Sequence, residues 1–240
     1  DVSWASFQYA GIKTNHAGVN SSPLVEYCVS RDATAGGSYG FYLNSASTAN
    51  NTFRYNLVYN NTSGIGSSNS GSQGANTMTD NHVVANTSFP IFISGSASNY
   101  PNCVVNACTS ASSINPNRAG DRPFGGMDGW ELYSNNSGVT TTLGANSYIT
   151  INNWKIFKST GAALSLSASG VIFNNVYLRG NATDITLTQT ADLIFANCTL
   201  ATDASFTTAN RIGLANFSQA RFENCTIAGT TTGNDVINSV

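Results

Sequence analysis

Apolar and polar residues alternate along this chain in short bursts, and the bursts recur. Phe222-Glu223-Asn224-Cys225-Thr226-Ile227 carries apolar residues at its first, fourth and sixth positions and Asn at its third. Phe195-Ala196-Asn197-Cys198-Thr199-Leu200 is nearly identical. Phe173-Asn174-Asn175-Val176-Tyr177-Leu178 and Ile151-Asn152-Asn153-Trp154-Lys155-Ile156 keep the same frame, and the four Asn residues are 22, 22 and 27 positions apart. In an unbroken strand alternate residues share a face. Here the inward set slips by one at the Asn, which marks a bend between two short strands, and Asn tolerates the left-handed backbone such a bend needs. Looser copies place further bends at Ser6, Tyr27, Tyr55, Asp80, Asn106 and Gly129. Bend Asn residues are expected largely inside, hydrogen-bonded from one copy to the next.

A second run of strands keeps step with the first. Ile185-Thr186-Leu187 and Ile212-Gly213-Leu214 are 27 apart, like Asn197 and Asn224, and Leu164-Ser165-Leu166 stands one copy earlier. Phe89, Ile91 and Ile93 form a similar alternation in the first half. Helical periodicity is nowhere sustained. Repeats of this length bury their apolar faces by stacking on one another. The expectation is an all-β solenoid of about ten coils, occupying 1–240 as one domain. At about 4.8 Å per coil it would be a rod of roughly 48 Å. Neither end carries an amphipathic capping helix, so the chain is expected to be a stretch of a longer protein, or to have its end coils covered by neighbouring domains or subunits.

The F-x-N-C-T-I coils and stacked Asn bends resemble the right-handed parallel β-helix family, most clearly over 148–229. The resemblance implies a right-handed, single-stranded parallel β-helix. That fold is shared by pectin-degrading enzymes, phage tailspikes, adhesins and periplasmic repeat proteins, so it implies no one function. The vWiDH and RxPxxR signatures of pectate lyases are missing; Arg118-Ala119-Gly120-Asp121-Arg122-Pro123 echoes the second only loosely. The NTD, DD, GHG and RIK motifs of polygalacturonases are missing too.

Composition narrows the setting. Only 9% of residues are charged, although 41% are hydrophobic, and Asn, Ser, Thr and Gly make up the difference. The net charge of −2 comes without a basic cluster, which removes the electrostatic footprint of a nucleic-acid binder. No apolar run has the length of a membrane span. The five Cys form no C-x-x-C pair, and His16 and His82 lie far apart, so neither a metal site nor a cofactor is expected. Cys28, Cys198 and Cys225 share one repeat position and are expected to stack in the core; a Cys103–Cys108 disulfide stays open. Few Lys and Glu, with abundant Asn, Ser and Thr, point to an extracellular, cell-surface or virion setting.

Charge gathers in one coil. Asp128 and Glu131 flank a bend and are expected to project outward, with Lys155 one coil beyond Glu131 and with Arg118, Asp121 and Arg122 in the rest of that coil. Two carboxylates beside a groove are what glycosidic cleavage uses, one as acid and the other as base or nucleophile. Surface ion pairs between adjacent coils are the simpler account of Glu131–Lys155 and Glu26–Arg54. Trp130 falls at an inward position, so it offers no sugar platform. Two functional classes follow. One is a non-catalytic β-helix of structural or adhesive role that contacts a polysaccharide or cell-surface glycan along this stripe, through Arg118, Asp121, Arg122 and Tyr177. The other is a polysaccharide lyase or glycoside hydrolase using Asp128, Glu131 and Lys155. Whether the chain is an enzyme stays open at this point.

Overall fold

The computed structural model describes residues 2–8, 12–16, 24–35, 39–45, 52–69, 76–87, 91–94, 98–99, 104–106, 114–117, 128–133, 139–141, 149–166, 170–187, 192–203, 208, 210–214, 219–229 and 237–239. Among these residues every pairing is parallel and no helix occurs. Strands follow one another in a cycle of three, each pairing with its counterpart one coil away, and so form an all-β parallel solenoid. One ten-stranded sheet runs from Ser6–Gln8 to Thr226–Ile227 and includes Leu57–Tyr59, His82–Val84, Glu131–Tyr133, Lys155–Phe157 and Tyr177–Arg179. A second ten-stranded sheet runs from Ile12–His16 to Ile237–Ser239. The remaining wall holds a five-stranded and a four-stranded sheet. The second column expected from sequence is present: Leu164 pairs with Ile185, and Ile185 with Ile212.

The bends lie close to where the repeat puts them. Tyr27, Tyr55, Asp80, Gly129, Asn153, Asn175, Asn197 and Asn224 all have positive φ. Two of the expected positions are not bends. In the first coil the left-handed residue is Trp4, with φ 58°, while Ser6 opens a strand. Asn106 is no bend but the last residue of the strand Val104–Asn106, in register with Val84 and Tyr133. Its alternation with Val104 imitates the bend pattern without the inward slip.

The expected burial of the bend Asn residues is overturned. Asn153, Asn175, Asn197 and Asn224 are exposed, because a left-handed residue between two strands turns its side chain off the wall. They bond in pairs on the outside: Asn175 Nδ2 donates to Asn153 Oδ1 at 2.7 Å and Asn224 Nδ2 to Asn197 Oδ1 at 2.8 Å, while Asn197 Nδ2 donates to Asn174 Oδ1 at 2.9 Å. The inward place belongs to the next residue. That column holds Cys28, Asn56, Asn81, Trp130, Trp154, Val176, Cys198 and Cys225, all buried except the half-buried Cys225. Asn56 Oδ1 accepts from the Cys28 amide at 2.9 Å, and Asn81 Oδ1 from the Asn56 amide at 3.1 Å. Their Nδ2 groups donate to the carbonyls of Val25 and Phe53, each two residues before the bend of the preceding coil. Cys takes the same role with sulfur. The Cys198 amide donates to Cys225 Sγ at 3.4 Å, and the two thiols donate to the carbonyls of Phe173 and Phe195. These cysteines are free, as stacking in the core requires; Cys103 and Cys108 lie outside the described residues.

A second bend, absent from the sequence reading, follows five residues after the first. Asp32, Asn60, Ala85, Lys158 and Gly180 have positive φ, and each is followed by an inward residue: Ala33, Asn61, Asn86, Ser159 or Asn181. The bonding repeats: Asn61 Oδ1 accepts from the Ala33 amide, Asn86 Oδ1 from Asn61, and Asn181 Oδ1 from Ser159. A buried amide left without such an acceptor would cost about 1–3 kcal/mol, so these Asn residues hold the irregular parts of the wall together.

Apolar stacking fills the interior. Trp130 and Trp154 are fully buried and stacked with ring centroids 5.6 Å apart, and Phe173, Phe195 and Phe222 form a second stack at 5.0 and 4.9 Å, which Trp154 meets edge-on through Phe173. One ionic pair sits inside as well: Arg211, wholly enclosed, donates to the carboxylate of Asp184 on the neighbouring strand. Burial pushes the Asp184 carboxyl upward against the opposing pull of Arg211 and Asn181.

Candidate functional site

The strand Glu131–Tyr133 places alternate side chains outward, so Glu131 and Tyr133 share the outer face while Leu132 is buried. Lys155 pairs directly with Glu131 in the next coil. The result is a closed cluster. Lys155 Nζ donates to Glu131 Oε1 at 2.8 Å, and the Tyr133 hydroxyl donates to Glu131 Oε2 at 2.6 Å. Hydrogen bonds from Lys155 and Tyr133 hold the Glu131 carboxyl below the usual range. The bond to Glu131 pushes the Tyr133 phenol up to about 12.

Asp128, one residue before the bend at Gly129, is committed elsewhere. Its Oδ1 accepts from the Asn152 amide at 2.9 Å and from Asn152 Nδ2 at 3.1 Å. Asn152 Oδ1 accepts from Asn174, and Asn174 Oδ1 from Asn197, so Asp128 starts a surface ladder of amides. Tyr177 is half-buried on the same sheet, pairing with Lys155 and Thr199, its ring tilted 57° against Phe157. The structure thus joins Glu131 to Lys155 as the stripe predicted, adds Tyr133, and directs Asp128 into the amide ladder. Arg118, Asp121 and Arg122 lie outside the described residues. Among the described residues no group of three or more His, Cys, Asp or Glu is placed to hold a metal ion.

A second surface feature escaped the sequence reading. Trp4, Tyr27 and Tyr55, the left-handed residues of three successive coils, are 79%, 41% and 46% exposed and stack on one another. Their centroids are 4.6 and 5.1 Å apart, with interplanar angles of 9° and 14°. Arg54 flanks the column, its guanidinium paired with Glu26 at 2.7 Å and 5.8 Å from the centre of the Tyr55 ring. The signal is in the sequence: Tyr27 and Tyr55 fall at bends one coil apart, but the expectation of burial there concerns the bend Asn residues and not aromatic ones. Next to Tyr55 a hollow of about 310 Å³ is lined by Tyr55, Asn56, Leu57, Asp80 and His82.

No family model and no curated protein sequence matches this chain. Among solved structures, the chain is similar to the catalytic domain of a GH87 alpha-1,3-glucanase in complex with nigerose. The likeness has a TM-score of 0.53 at 10% sequence identity and covers 99% of this chain and 61% of that one. The chain therefore spans about three-fifths of that structure. At this identity the likeness establishes the β-helix fold.

Proposed function

We propose that this chain is a glycan-contacting β-helix that binds without cleaving, with a structural or adhesive role at an extracellular, cell or virion surface. The observation that carries the non-catalytic half is the commitment of both candidate carboxylates. A glycosidase acid must carry a proton near neutral pH, which calls for a raised pKa. Glu131 is shifted the other way by Lys155 and Tyr133, and Asp128 spends one oxygen on two donors of Asn152. The glycan-contacting half is supported by the likeness to a glucanase domain solved with nigerose, and by the half-buried Tyr177 beside Lys155. The end coils would be covered by neighbouring domains or subunits.

The second reading is a glycoside hydrolase or polysaccharide lyase acting through Glu131, Lys155 and Asp128. The same likeness favours it, with Arg118, Asp121 and Arg122 as further binding groups. Incubation with a panel of polysaccharides, including an α-1,3-glucan and nigerose, separates the two. Retention on a glycan with no new chain ends supports the first reading. New chain ends that disappear in the double variant Asp128→Asn, Glu131→Gln establish the second.

A further inference from the structure

The Trp4–Tyr27–Tyr55 column is built like a pile of coins. Successive rings are nearly parallel and about one coil apart, so their planes lie across the rod and its flank presents ring edges. A sugar cannot lie flat against such a flank. Ring faces are available where the pile stops, and it stops at Tyr55. The following coil supplies Asp80 at the same left-handed position, a side chain far smaller than an aromatic ring. The hollow begins there.

Resting on the reading that the chain contacts glycans, we propose that this hollow binds a single pyranose unit, which continues the aromatic pile in the slot beside Tyr55. The hollow, about 310 Å³, is shallow and open to solvent, so it offers one ring a face to rest on rather than an enclosed site. Tyr55 and Leu57, 46% and 37% exposed, supply apolar surface for the C–H face of the sugar. Polar groups converge on the rim. Asp80 Oδ2 accepts from Thr79 Oγ1 at 2.6 Å, and its other oxygen has no partner among the described residues. The exposed His82 side chain likewise has no hydrogen-bond partner among the described residues. A carboxylate accepts from ring hydroxyls and an imidazole donates to or accepts from them. Asp80 also sets a preference, because its charge repels a uronate, and a neutral hexose is the favoured occupant. The site lies two strands along the sheet from Glu131, since His82 pairs with Val104 and Val104 with Glu131.

The chain contains two His, so an NMR titration reports on the hollow directly. The probes are maltose, cellobiose, a neutral α-1,3-gluco-oligosaccharide and digalacturonate, with His82→Ala assigning the resonance. The expected result is that a neutral sugar shifts the His82 imidazole signals while those of His16 stay still. Tyr55→Ala should weaken that binding about tenfold or more, and Asp80→Asn should reduce the discrimination against digalacturonate. Asp80→Asn keeps a residue that tolerates the left-handed backbone, so it remains informative even if Tyr55→Ala disturbs the pile. Binding that leaves His82 unmoved and ignores both substitutions overturns the hollow while leaving the glycan-contacting reading intact. A chain that binds no glycan from this set or from the polysaccharide panel overturns both.

Discussion

Arg211 donates to Asp184 wholly inside the rod, across one strand pairing of the second sheet. The guanidinium also reaches the carbonyls of Ala201, Ala228 and Gly229, and Asp184 accepts from Asn181 Nδ2 at 3.1 Å. The pair therefore ties the last coils to each other and to the second bend. Removing one partner leaves a buried charge alone, which costs about 3–5 kcal/mol. Arg211→Met should lower the unfolding midpoint steeply. The double variant Asp184→Leu, Arg211→Met should recover much of the loss, and a double-mutant cycle from denaturant unfolding measures the coupling. Equal losses in single and double variants would show that the surrounding carbonyl contacts, rather than the pair, hold the coils.

The Glu131 cluster makes its own pH signature. Its carboxyl is held below the ordinary value, so its contribution to stability is present above that value and fades as pH falls through the lowered one. For Tyr133, raised to about 12, the contribution is full below the ordinary phenol value and is lost as pH rises through about 12. The pair Lys155–Glu131 is largely solvated, its side chains 52% and 30% exposed, so it contributes about 0–1 kcal/mol. Glu131→Gln should lower the midpoint modestly at neutral pH, because the Lys155 pair is lost while Gln keeps an uncharged acceptor for the Tyr133 hydroxyl. It should return one late-titrating phenol toward the ordinary range, read from phenolate absorbance.

Asn and Cys occupy one inward column with the same bonding pattern. Asn56→Leu removes the acceptor of the Cys28 amide and the donor to Val25, so it should cost about 1–3 kcal/mol. Asn56→Cys should cost clearly less, because Cys225 already supports the Cys198 amide in this way. Comparing the two midpoints under reducing conditions tests the equivalence.

Left-handed backbone selects the exposed bends. Asn175, with φ 55°, is expected to accept Gly with little loss. Asn175→Val places a β-branched residue in a conformation that costs ordinary L-residues about 1–2 kcal/mol, equivalent to about 2–8 °C in a chain of this size. A valine variant as stable as the parent would mean that the bend relaxes out of the left-handed region.

Coil stacking explains how much of this was legible in the sequence. Each coil pairs with the next in register, so residues one repeat apart become neighbours and a local pattern becomes a contact map. That is why the spacing of Asn153, Asn175, Asn197 and Asn224 placed the bends, and why Leu164, Ile185 and Ile212 pair as their spacing implies. Glu131 and Lys155 could be matched for the same reason. What the sequence by itself determined was the repeat and the inward set flanking each bend. The tertiary structure decided which way the bend residue itself faces. A positive φ throws that side chain off the wall, which put the bend Asn residues outside and brought Trp4, Tyr27 and Tyr55 into an exposed pile. It also decided that Asp128 spends its oxygen on Asn152 and that Arg211 finds Asp184 inside. Those outcomes depend on backbone handedness and on which coil is the neighbour, and hydrophobic periodicity encodes neither.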